Sequence, residues 1–268
     1  MTSANRLPTG YRIHSYPTLD STNAEALRRL AELNQAATDQ TSARPGDVIH
    51  AESQTAGRGR LGRRWHSPPG NLYASIVAAS GTVAAGEAAQ LAFVAALGTG
   101  EAIAEIVPER ARLRYKWPND VLLNDAKLAG ILIESGPADR MVVGIGINVA
   151  SAPGAGETGF PATSLAAEGI ARVEPGTLLA SVCRHFDDWL RRWQGEGFAP
   201  VRAAWLERAG GLGQNIEAHI GTEVVTGRFS GLDERGALML DCQDGRRRVI
   251  PAGEIFFFRA LSGQMESI

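Results

Sequence analysis

The sequence predicts an α+β fold, in which a β-sheet is accompanied by helices and followed by a small all-β region. Three observations support this prediction. Apolar residues recur at helical spacing in several segments, the strand-like stretches within 112–149 are joined by short connections, and the chain after residue 213 reads as short strands with glycine and aspartate turns. Because parallel neighbours need long crossovers, the central strands are expected to be antiparallel.

Helical periodicity begins close to the amino end of the sequence. After Thr22, apolar residues recur at helical spacing and predict a first helix that ends near Leu33. Thr22, with Glu25 three positions later, matches the pattern of a capping box. Further helices are expected over residues 88–107, 178–193 and 201–208, the second of these being amphipathic.

Strands are expected where apolar or alternating residues lie between turn signals. Residues 112–117 alternate with a period of two, and Asn124-Asp125 supply the turn of a hairpin. A loop is expected over residues 154–159. The other strands predicted before the all-β region cover residues 47–51, 72–79, 121–123, 128–134 and 140–149.

The length of the chain indicates two domains of unequal size. The 268 residues suffice for one packed domain of about 200 residues and a small appended one. Glycines within residues 210–213 mark the boundary. We therefore expect a first domain over residues 1–212 and a second, a small β-barrel, over residues 213–268.

Composition excludes several classes of protein. With 44% hydrophobic and 21% charged residues the chain is of ordinary globular type, and its net charge of −2 gives no overall attraction to nucleic acid or to an anionic membrane. No stretch resembles a signal peptide or a membrane span. The two cysteines are far apart and fit neither a disulfide framework nor a zinc site. We expect a soluble cytoplasmic protein.

The segment from Gln54 to Trp65 carries the densest chemical signal. Its glycines are Gly57, Gly59 and Gly62, and its arginines are Arg58, Arg60, Arg63 and Arg64. Glycine lets successive N–H groups converge on an oxygen-rich ligand, and arginine adds forked donors that match carboxylates and phosphates. We interpret this arginine segment as a loop that wraps an anion; the alternative is a solvated basic loop.

Residues 57–62 also satisfy the dinucleotide-binding pattern G-x-G-x-x-G. The context is wrong for it, because the proline-containing residues that follow cannot open a helix and no acidic residue closes a strand about 20 positions later. A nucleic-acid module is a further alternative, in which the arginines track phosphates and Trp65 stacks on a base. The rest of the chain supplies no matching basic stripe.

A second signal is Lys116-Trp117-Pro118-Asn119-Asp120, followed by Lys127. Proline stops the strand and Asn119-Asp120 turn it, so a lysine, an amide and a carboxylate gather at one strand end. This pattern predicts a corner for a polyphosphate, with a magnesium ion held partly by phosphate oxygens and by Asp120. An ordinary turn is the alternative.

A third signal lies in the strand that contains Gly144, Gly146 and Asn148. These residues share one face of the strand, while the intervening valine and isoleucine residues face the core. Two glycines weaken a strand, so their placement indicates close approach of another group. We interpret this face as a shelf for a ligand.

Taken together, these motifs closely resemble the biotin–protein ligases. Asp-Ser-Thr-Asn, the whole arginine segment, Lys-Trp-Pro-Asn-Asp, Lys-Leu-Ala-Gly-Ile-Leu-Ile-Glu and Gly-Ile-Gly-Ile-Asn occur in the order of that family. The resemblance is strong over residues 15–149, and the tail from residue 213 resembles the family's SH3-like C-terminal domain. It implies a mixed β-sheet flanked by helices, akin to class II synthetases, and a two-step reaction through biotinyl-AMP.

The resemblance also implies a set of site residues. Biotin would be bound by Ser21, Thr22, Asn23, Gln54, Gly57, Arg58, Gly59, Arg60, Lys127, Gly130 and Gly144. ATP would be bound by Arg63, Trp65, Lys116, Asn119, Asp120, Gly146 and Asn148. Arg58, Arg60 and Lys127 would be the catalytic residues, which screen the repulsion between a carboxylate and a phosphate and stabilise the charge on departing pyrophosphate.

The implied cofactors are ATP and Mg²⁺, with biotin as substrate and the biotin carboxyl carrier protein of acetyl-CoA carboxylase as acceptor. Few residues precede the first helix, so the monofunctional type without a DNA-binding domain is expected, as a monomer or homodimer. Lipoate ligases and octanoyl transferases share the ancestral domain and are the nearest enzymatic alternatives. The full arginine segment matches the biotin ligases better.

Overall fold

A computed structural model describes residues 6–33, 44–79, 89–137, 139–154, 157–170 and 172–257. The predicted start of the second helix, at residue 88, lies outside the described residues. The sequence also predicts a loop over residues 39–46 and offers no role for the polar stretch 38–43; the stretch and most of the loop lie outside the described residues.

The larger sheet of the described chain has seven strands. They are β1 (Arg12–Leu19), β2 (Asp47–Gln54), β3 (Leu72–Ala79), β4 (Leu113–Lys116), β5 (Asp120–Leu123), β6 (Ala126–Ser135) and β7 (Arg140–Ile147). Their order is β1-β2-β3-β7-β6-β5-β4. β1 pairs with β2 in parallel and every other neighbour is antiparallel, which confirms the mixed sheet and the antiparallel centre.

Strand β1 was not predicted from the sequence. It lies at the edge of the sheet, where only one side needs a hydrogen-bonded partner, and it carries polar residues such as His14, Ser15 and Thr18. Every one of its residues is exposed or only partly buried. Without a buried face a strand needs no apolar alternation, so the pattern that predicts strands is missing.

Helices cover both faces of this sheet. They are α1 (Thr22–Leu33), α2 (Gln90–Ala104), α3 (Pro175–Glu196) and α4 (Phe198–Glu207). The α1 residues Ala26 and Leu30 pack with Val142, whereas the neighbouring Val143 belongs to the main core with α2 and α3. Because successive side chains of a strand point to opposite faces, α1 lies on one face of the sheet and α2 and α3 lie on the other.

The capping box predicted at Thr22 is wrong. The first helical residue is Thr22 itself, and the N-cap is Ser21, whose Oγ accepts a hydrogen bond from Ala24 N at 3.4 Å. Glu25 pairs with Arg28 and Arg29 instead of reaching back to the cap. This shift by one residue releases the Thr22 hydroxyl for contacts across the sheet.

A second sheet follows residue 213. Its strands are β8 (Asn215–Ile220), β9 (Glu223–Leu232), β10 (Leu238–Asp241), β11 (Arg247–Ile250) and β12 (Glu254–Phe257), in the order β11-β10-β9-β8-β12. All pairs are antiparallel, but within the described residues no ladder joins β11 to β12, so the expected closed barrel is not observed.

The two sheets share one hydrophobic core. Phe229, Leu238 and Ile255 of the second sheet belong to the same buried cluster as α2 and the larger sheet. Trp117 Nε1 donates to Gly236 O at 3.0 Å inside this contact. The second sheet is therefore packed firmly enough to place its own residues beside the larger sheet.

Among the helices of the described chain, none combines the length and the apolarity that a membrane span requires.

Candidate active site

A cavity of about 690 Å³ opens on the face of the sheet that carries α1. Its walls are the arginine segment, the start of α1, the strands β6 and β7, and the β12 end of the second sheet. Of the predicted site residues, Gly57 is not part of the lining and all others are: Ser21, Thr22, Asn23, Gln54, Arg58, Gly59, Arg60, Arg63, Trp65, Lys116, Asn119, Asp120, Lys127, Gly130, Gly144, Gly146 and Asn148. Folding thus joins three motifs that lie far apart in the sequence.

Buried polar side chains form one end of the cavity. The hydroxyl of Ser75 donates to Asn23 Oδ1 and also lies 2.7 Å from Thr22 Oγ1. Thr22 N donates to Gln54 Oε1 at 2.9 Å, and Gln54 Nε2 donates to Ser67 Oγ at 2.9 Å. Ser21, Thr22, Asn23 and Ser75 are all less than 5% exposed. This end offers fixed donors and acceptors to a neutral polar ligand.

The arginine segment is closed by its own backbone. Gly59 N donates to Arg63 O at 2.7 Å, and Trp65 N donates to Gly57 O at 2.9 Å. Between them lies a short 3-10 turn, in which Leu61 has a φ of 55° and Gly62 a φ of 72°. Side chains point outward from this turn, so arginines close together in sequence contact different elements. Arg58 contacts Glu134 on β6, whereas Arg60 and Arg63 contact Gly253 and Glu254 of the second sheet.

Gly57 lies behind the cavity wall. A Cβ atom at this position would come within 2.6 Å of Trp65 O. Its place in the motif is therefore explained by close backbone packing at the base of the arginine segment.

Most cations of the cavity already have a carboxylate. Arg58 Nη2 lies 3.1 Å from Glu134 Oε2, and Lys127 Nζ lies 2.7 Å from Asp120 Oδ1. Arg63 forms an ion pair with Glu254 of β12, and the hydrogen bonds from Arg63 hold the pKa of the Glu254 carboxyl below its ordinary value.

Arg60 differs from these three. Its Nη1 donates to two neutral oxygens, Asn119 Oδ1 at 3.3 Å and Gly253 O at 3.2 Å, and within the described residues it forms no ion pair. Burial lowers the pKa of Arg60 because a desolvated guanidinium is less stable. Asp120 and Glu254 lie near enough to oppose this lowering, but neither forms an ion pair with Arg60. A half-buried cation without an ion pair of its own is the group in this cavity best suited to receive an anionic ligand.

Lys116 is only 1% exposed and lies between two carboxylates. Its Nζ is 3.8 Å from Asp120 Oδ2 and 4.0 Å from Glu254 Oε1. The rings of Phe160 and Phe256 are also in range, with centroids 4.8 Å and 5.5 Å away. Burial lowers the pKa of Lys116, and the two carboxylates oppose that change.

The glycine shelf is covered by protein side chains. A Cβ at Gly146 would come within 2.6 Å of the Trp65 indole, and one at Gly130 within 2.9 Å of the same ring. At Gly144 a Cβ would overlap the amide of Asn23. The close approach predicted at Gly144 and Gly146 is made within the protein by Asn23 and Trp65. Both glycines also line the cavity, so the ligand shelf stays a prediction.

Two amide side chains of the cavity lining are fixed by internal hydrogen bonds. Asn119 Nδ2 donates to Ile131 O at 2.6 Å, and Asn148 Nδ2 donates to Thr163 O at 3.0 Å. Both donors are used internally. The Oδ1 atom of Asn119 accepts from Arg60, so this residue links two of the predicted motifs.

Asp120 is the cavity residue that was predicted to hold a magnesium ion. The described residues contain no cluster of three metal-ligating side chains. Asp120 is buried, and its charge is balanced by Lys116 and Lys127. One buried carboxylate fits an ion shared with substrate phosphates, and does not fit an ion held by protein alone.

Sequence reasoning missed three residues that shape this site. Ser75 supports the polar end, and Glu134 and Glu254 hold the arginine segment from two sides. Glu134 closes the Lys-Leu-Ala-Gly-Ile-Leu-Ile-Glu motif and Glu254 follows a glycine near the end of the chain, so both were visible as motif members. Their partners are 76 and 191 positions away, which no local pattern indicates.

Comparison with known proteins gives the family. Residues 33–207 match the Biotin/lipoate A/B protein ligase family, and residues 211–258 match the Biotin protein ligase C terminal domain. The biotin--[acetyl-CoA-carboxylase] ligase of Paracoccus denitrificans is 45% identical over 247 residues, which cover 89% of this chain and 97% of that protein. The bifunctional ligase/repressor BirA of Escherichia coli (strain K12) is 35% identical over 246 residues, covering 89% of this chain and 72% of that protein.

Solved structures agree with these relatives. Biotin protein ligase from Aquifex aeolicus in complex with biotin and ATP superposes with a TM-score of 0.73 at 28% identity, covering 91% of this chain and 97% of that one. The ligase from Leishmania major in complex with biotinyl-5-AMP gives a TM-score of 0.61 at 25% identity, covering 90% and 99% of the two chains. By its sequence, its fold and the residues gathered in its cavity, this chain belongs to the biotin protein ligase family.

Proposed function

We propose that the chain is an ATP-dependent biotin–protein ligase that forms biotinyl-5′-AMP and then transfers biotin to a lysine of a carrier protein. The observation that carries this proposal is the half-buried guanidinium of Arg60, which forms no ion pair within the described residues and faces a cavity with a neutral polar end and a cationic end. Biotin has the same two ends, a neutral polar head and a carboxylate. Their separation in one cavity gives the substrate a single orientation.

The neutral end is proposed to hold the biotin head. Asn23, Thr22 and Gln54 offer buried amide and hydroxyl groups that are fixed by Ser75 and Ser67. Ser21 and Gly144 complete this end. A site whose polar groups are already oriented loses little conformational freedom when the ligand binds.

The cationic end is proposed to bring two anions together. Arg58, Arg60 and Lys127 surround the place where the biotin carboxylate meets the α-phosphate of ATP, and Gly57, Gly59 and Gly130 allow the backbone to come close. Fixed cations reduce the repulsion between the reactants and stabilise the charge that builds as pyrophosphate leaves. Arg63, Trp65, Lys116, Asn119, Asp120, Gly146 and Asn148 are assigned to the nucleotide.

Magnesium is proposed as a further component. Asp120 would hold the ion together with phosphate oxygens of the nucleotide. The ion would supply neutralising charge on the phosphates. Asp120 itself keeps Lys127 at its position in the cavity, 2.7 Å away.

The second step requires no nucleophile from this chain. The amine of the acceptor lysine attacks the carbonyl carbon of the mixed anhydride, a C–N bond forms, the C–O bond to phosphate breaks, and AMP leaves. The acceptor is proposed to be the biotin carboxyl carrier protein of acetyl-CoA carboxylase, as the name of the Paracoccus denitrificans relative suggests.

Several finer assignments accompany the reaction. We assign residues 1–212 to the catalytic domain and residues 213–268 to an SH3-like domain. We expect a cytoplasmic monomer or homodimer, in keeping with the free state of Cys183 and Cys242. Neither DNA nor a membrane is proposed as a partner.

The test is ATP–pyrophosphate exchange with the purified full chain. We expect exchange that depends on added biotin and that lipoate or octanoate does not support. Exchange with lipoate in place of biotin would assign the chain to the other branch of the same superfamily. Absence of exchange with any of the three acids would refute adenylation.

A further inference from the structure

Glu134 lies at a junction between the two ends of the cavity. Its Oε2 atom accepts a hydrogen bond from Asn23 Nδ2 at 2.7 Å and from Arg58 Nη2 at 3.1 Å. Asn23 is part of the polar end, and Arg58 is part of the arginine segment. A single carboxylate oxygen therefore connects a residue assigned to the biotin head with a residue assigned to catalysis.

The position of Glu134 on β6 explains this reach. Side chains alternate along a strand, so Glu134 points to the same face as Leu132 and Gly130, both of which line the cavity. Glu134 itself is not in the lining, and its side chain is 24% exposed. Glu134 would therefore not touch a ligand itself, but it contacts Asn23 and Arg58, which do line the cavity.

Glu134 is the closer of two acceptors that orient the Asn23 amide. An amide has a donor end and an acceptor end of nearly the same shape, and either end can face a ligand. Here Oδ1 accepts from Ser75, and Nδ2 donates to Glu134 at 2.7 Å and to Leu132 O at the longer distance of 3.4 Å. A carboxylate is an acceptor only, so it admits the Nδ2 end and rejects the Oδ1 end.

The arginine segment is held differently at its other end. Arg60 and Arg63 reach Gly253 and Glu254 on the second sheet, across the cavity from Glu134. Arg58 is thus the arginine of the segment that is tied to β6 and to the polar end. Loss of Glu134 would leave the segment anchored on the side of the second sheet alone.

We propose that Glu134 is a positioning residue for biotin. It orients the Asn23 amide toward the biotin head, and it also holds Arg58 at a fixed distance from Asn23. The biotin head and the biotin carboxylate are thereby recognised at a fixed separation. The proposal rests on the function proposed above, in particular on the assignment of Asn23 to the biotin head.

The test compares biotin binding and steady-state kinetics of full-length variants. Glu134→Ala removes both hydrogen bonds, and Glu134→Gln keeps the size of the side chain but adds a donor and removes the charge. We expect both to raise the Kd of biotin, measured by isothermal titration calorimetry without ATP, by about tenfold, the usual effect of losing a hydrogen bond to a charged group. The KM for biotin should rise in parallel and the KM for ATP should stay unchanged.

The matched control is Glu254→Gln. It alters the other carboxylate that holds the arginine segment, but on the side assigned to the nucleotide. We expect it to raise the KM for ATP and to leave the Kd of biotin unchanged. If both variants raised both the Kd of biotin and the KM for ATP, the cause would be a general displacement of the arginine segment. That result would refute a specific role for Glu134.

Asn23→Ala separates the inference from the proposed function. If this variant binds biotin as wild type does, the assignment of Asn23 to the biotin head is wrong and the inference fails with it. If Asn23→Ala weakens binding while both Glu134 variants bind normally, the site stands and the inference alone is refuted. In the double variant Asn23→Ala/Glu134→Ala we expect the loss of biotin affinity to be smaller than the product of the two single fold-changes. The reason is that Glu134 acts partly by orienting the Asn23 amide, which the double variant lacks.

Discussion

The guanidinium of Arg60 donates to the carbonyl oxygen of Gly253 at 3.2 Å, across a separation of 193 positions in the sequence. This contact and the ion pair between Arg63 and Glu254 attach the arginine segment to the second sheet. The segment lines the cavity and is held by Glu134 on one side and by the second sheet on the other. Its position and the compensation of its charges therefore depend on residues outside the motif.

Replacing Arg60 should release the activated intermediate. In Arg60→Gly a half-buried cation that forms no ion pair is lost. A charged hydrogen bond to an anionic ligand contributes roughly 10- to 100-fold in affinity. We expect biotinyl-AMP to dissociate faster by about that factor. Retention of labelled adenylate on the protein after gel filtration measures it.

Arg246→Gly is the control for this prediction. Arg246 lies in the turn between β10 and β11, its side chain is 84% exposed, and it does not line the cavity. It should retain the adenylate as wild type does. Equal retention by Arg60→Gly would show that Arg60 does not bind the intermediate.

Removal of the Asp120 carboxylate should reduce both stability and turnover. In Asp120→Asn, Lys116 loses one of its two carboxylates and Lys127 loses its ion pair. Breaking a buried pair by removing one partner costs about 3–5 kcal/mol; partial exposure of Lys127 places the expected loss of unfolding free energy toward the lower value. Denaturant unfolding measures it. Asp125→Asn, at an exposed pair with Arg112, should change stability little.

Glu254 should make stability depend on pH in the acid range. Its pKa in the folded chain is lowered from 4.5, chiefly by the hydrogen bonds from Arg63, so the unfolded chain binds the proton more readily. Its contribution is fully present above 4.5 and is lost as the pH falls through the lowered value. The difference in Tm between wild type and Glu254→Gln should therefore be largest at neutral pH and should shrink as the pH falls below 4.5 through the lowered pKa. A constant difference across this range would contradict the prediction.

Alanine substitutions at the two glycines of β7 should affect the KM values of the two substrates differently. In Gly146→Ala the new methyl group would lie within 2.6 Å of Trp65, which must move, and we expect the KM for ATP to rise. In Gly144→Ala the methyl group would overlap Asn23, so we expect the KM for biotin to rise instead. Gly195→Ala, whose methyl group would meet no atom within 4 Å, is the control and should keep wild-type kinetics. Identical effects of the two β7 variants on both constants would argue against the assignment of the two ends.

Much of the local structure was predictable because it repeats a pattern along the chain. The alternation of Gly144, Gly146 and Asn148 with core residues is confirmed, since Ile145 and Ile147 belong to the main core. The helix predicted over residues 178–193 lies within α3, with Phe186 and Trp189 buried. Each of these features follows from burial on one side of a regular element, which the sequence records directly.

Other features could not be predicted because their cause is a distant contact. The Thr22 hydroxyl donates to Gln54 Oε1 because the helix cap lies one residue earlier, at Ser21. Gly146 is covered by the indole of Trp65, some 80 positions earlier in the sequence. Strand β1 has no fully buried residue, and its strand form depends on pairing with β2, which lies 35 positions later in the sequence. In each case the deciding partner comes from another part of the chain.

By itself the sequence determined the residue types that the chemistry requires: flexible glycines among arginines, a lysine and carboxylate corner, and the order of motifs that marks the family. The tertiary structure alone decided which half-buried cation of the cavity is left without an ion pair. Arg58, Arg63 and Lys127 find acids on β6, β12 and β5, whereas Arg60 meets only neutral oxygens. The physical reason is that charge compensation depends on distances of a few ångströms between segments, and a linear sequence specifies such distances only through the complete fold.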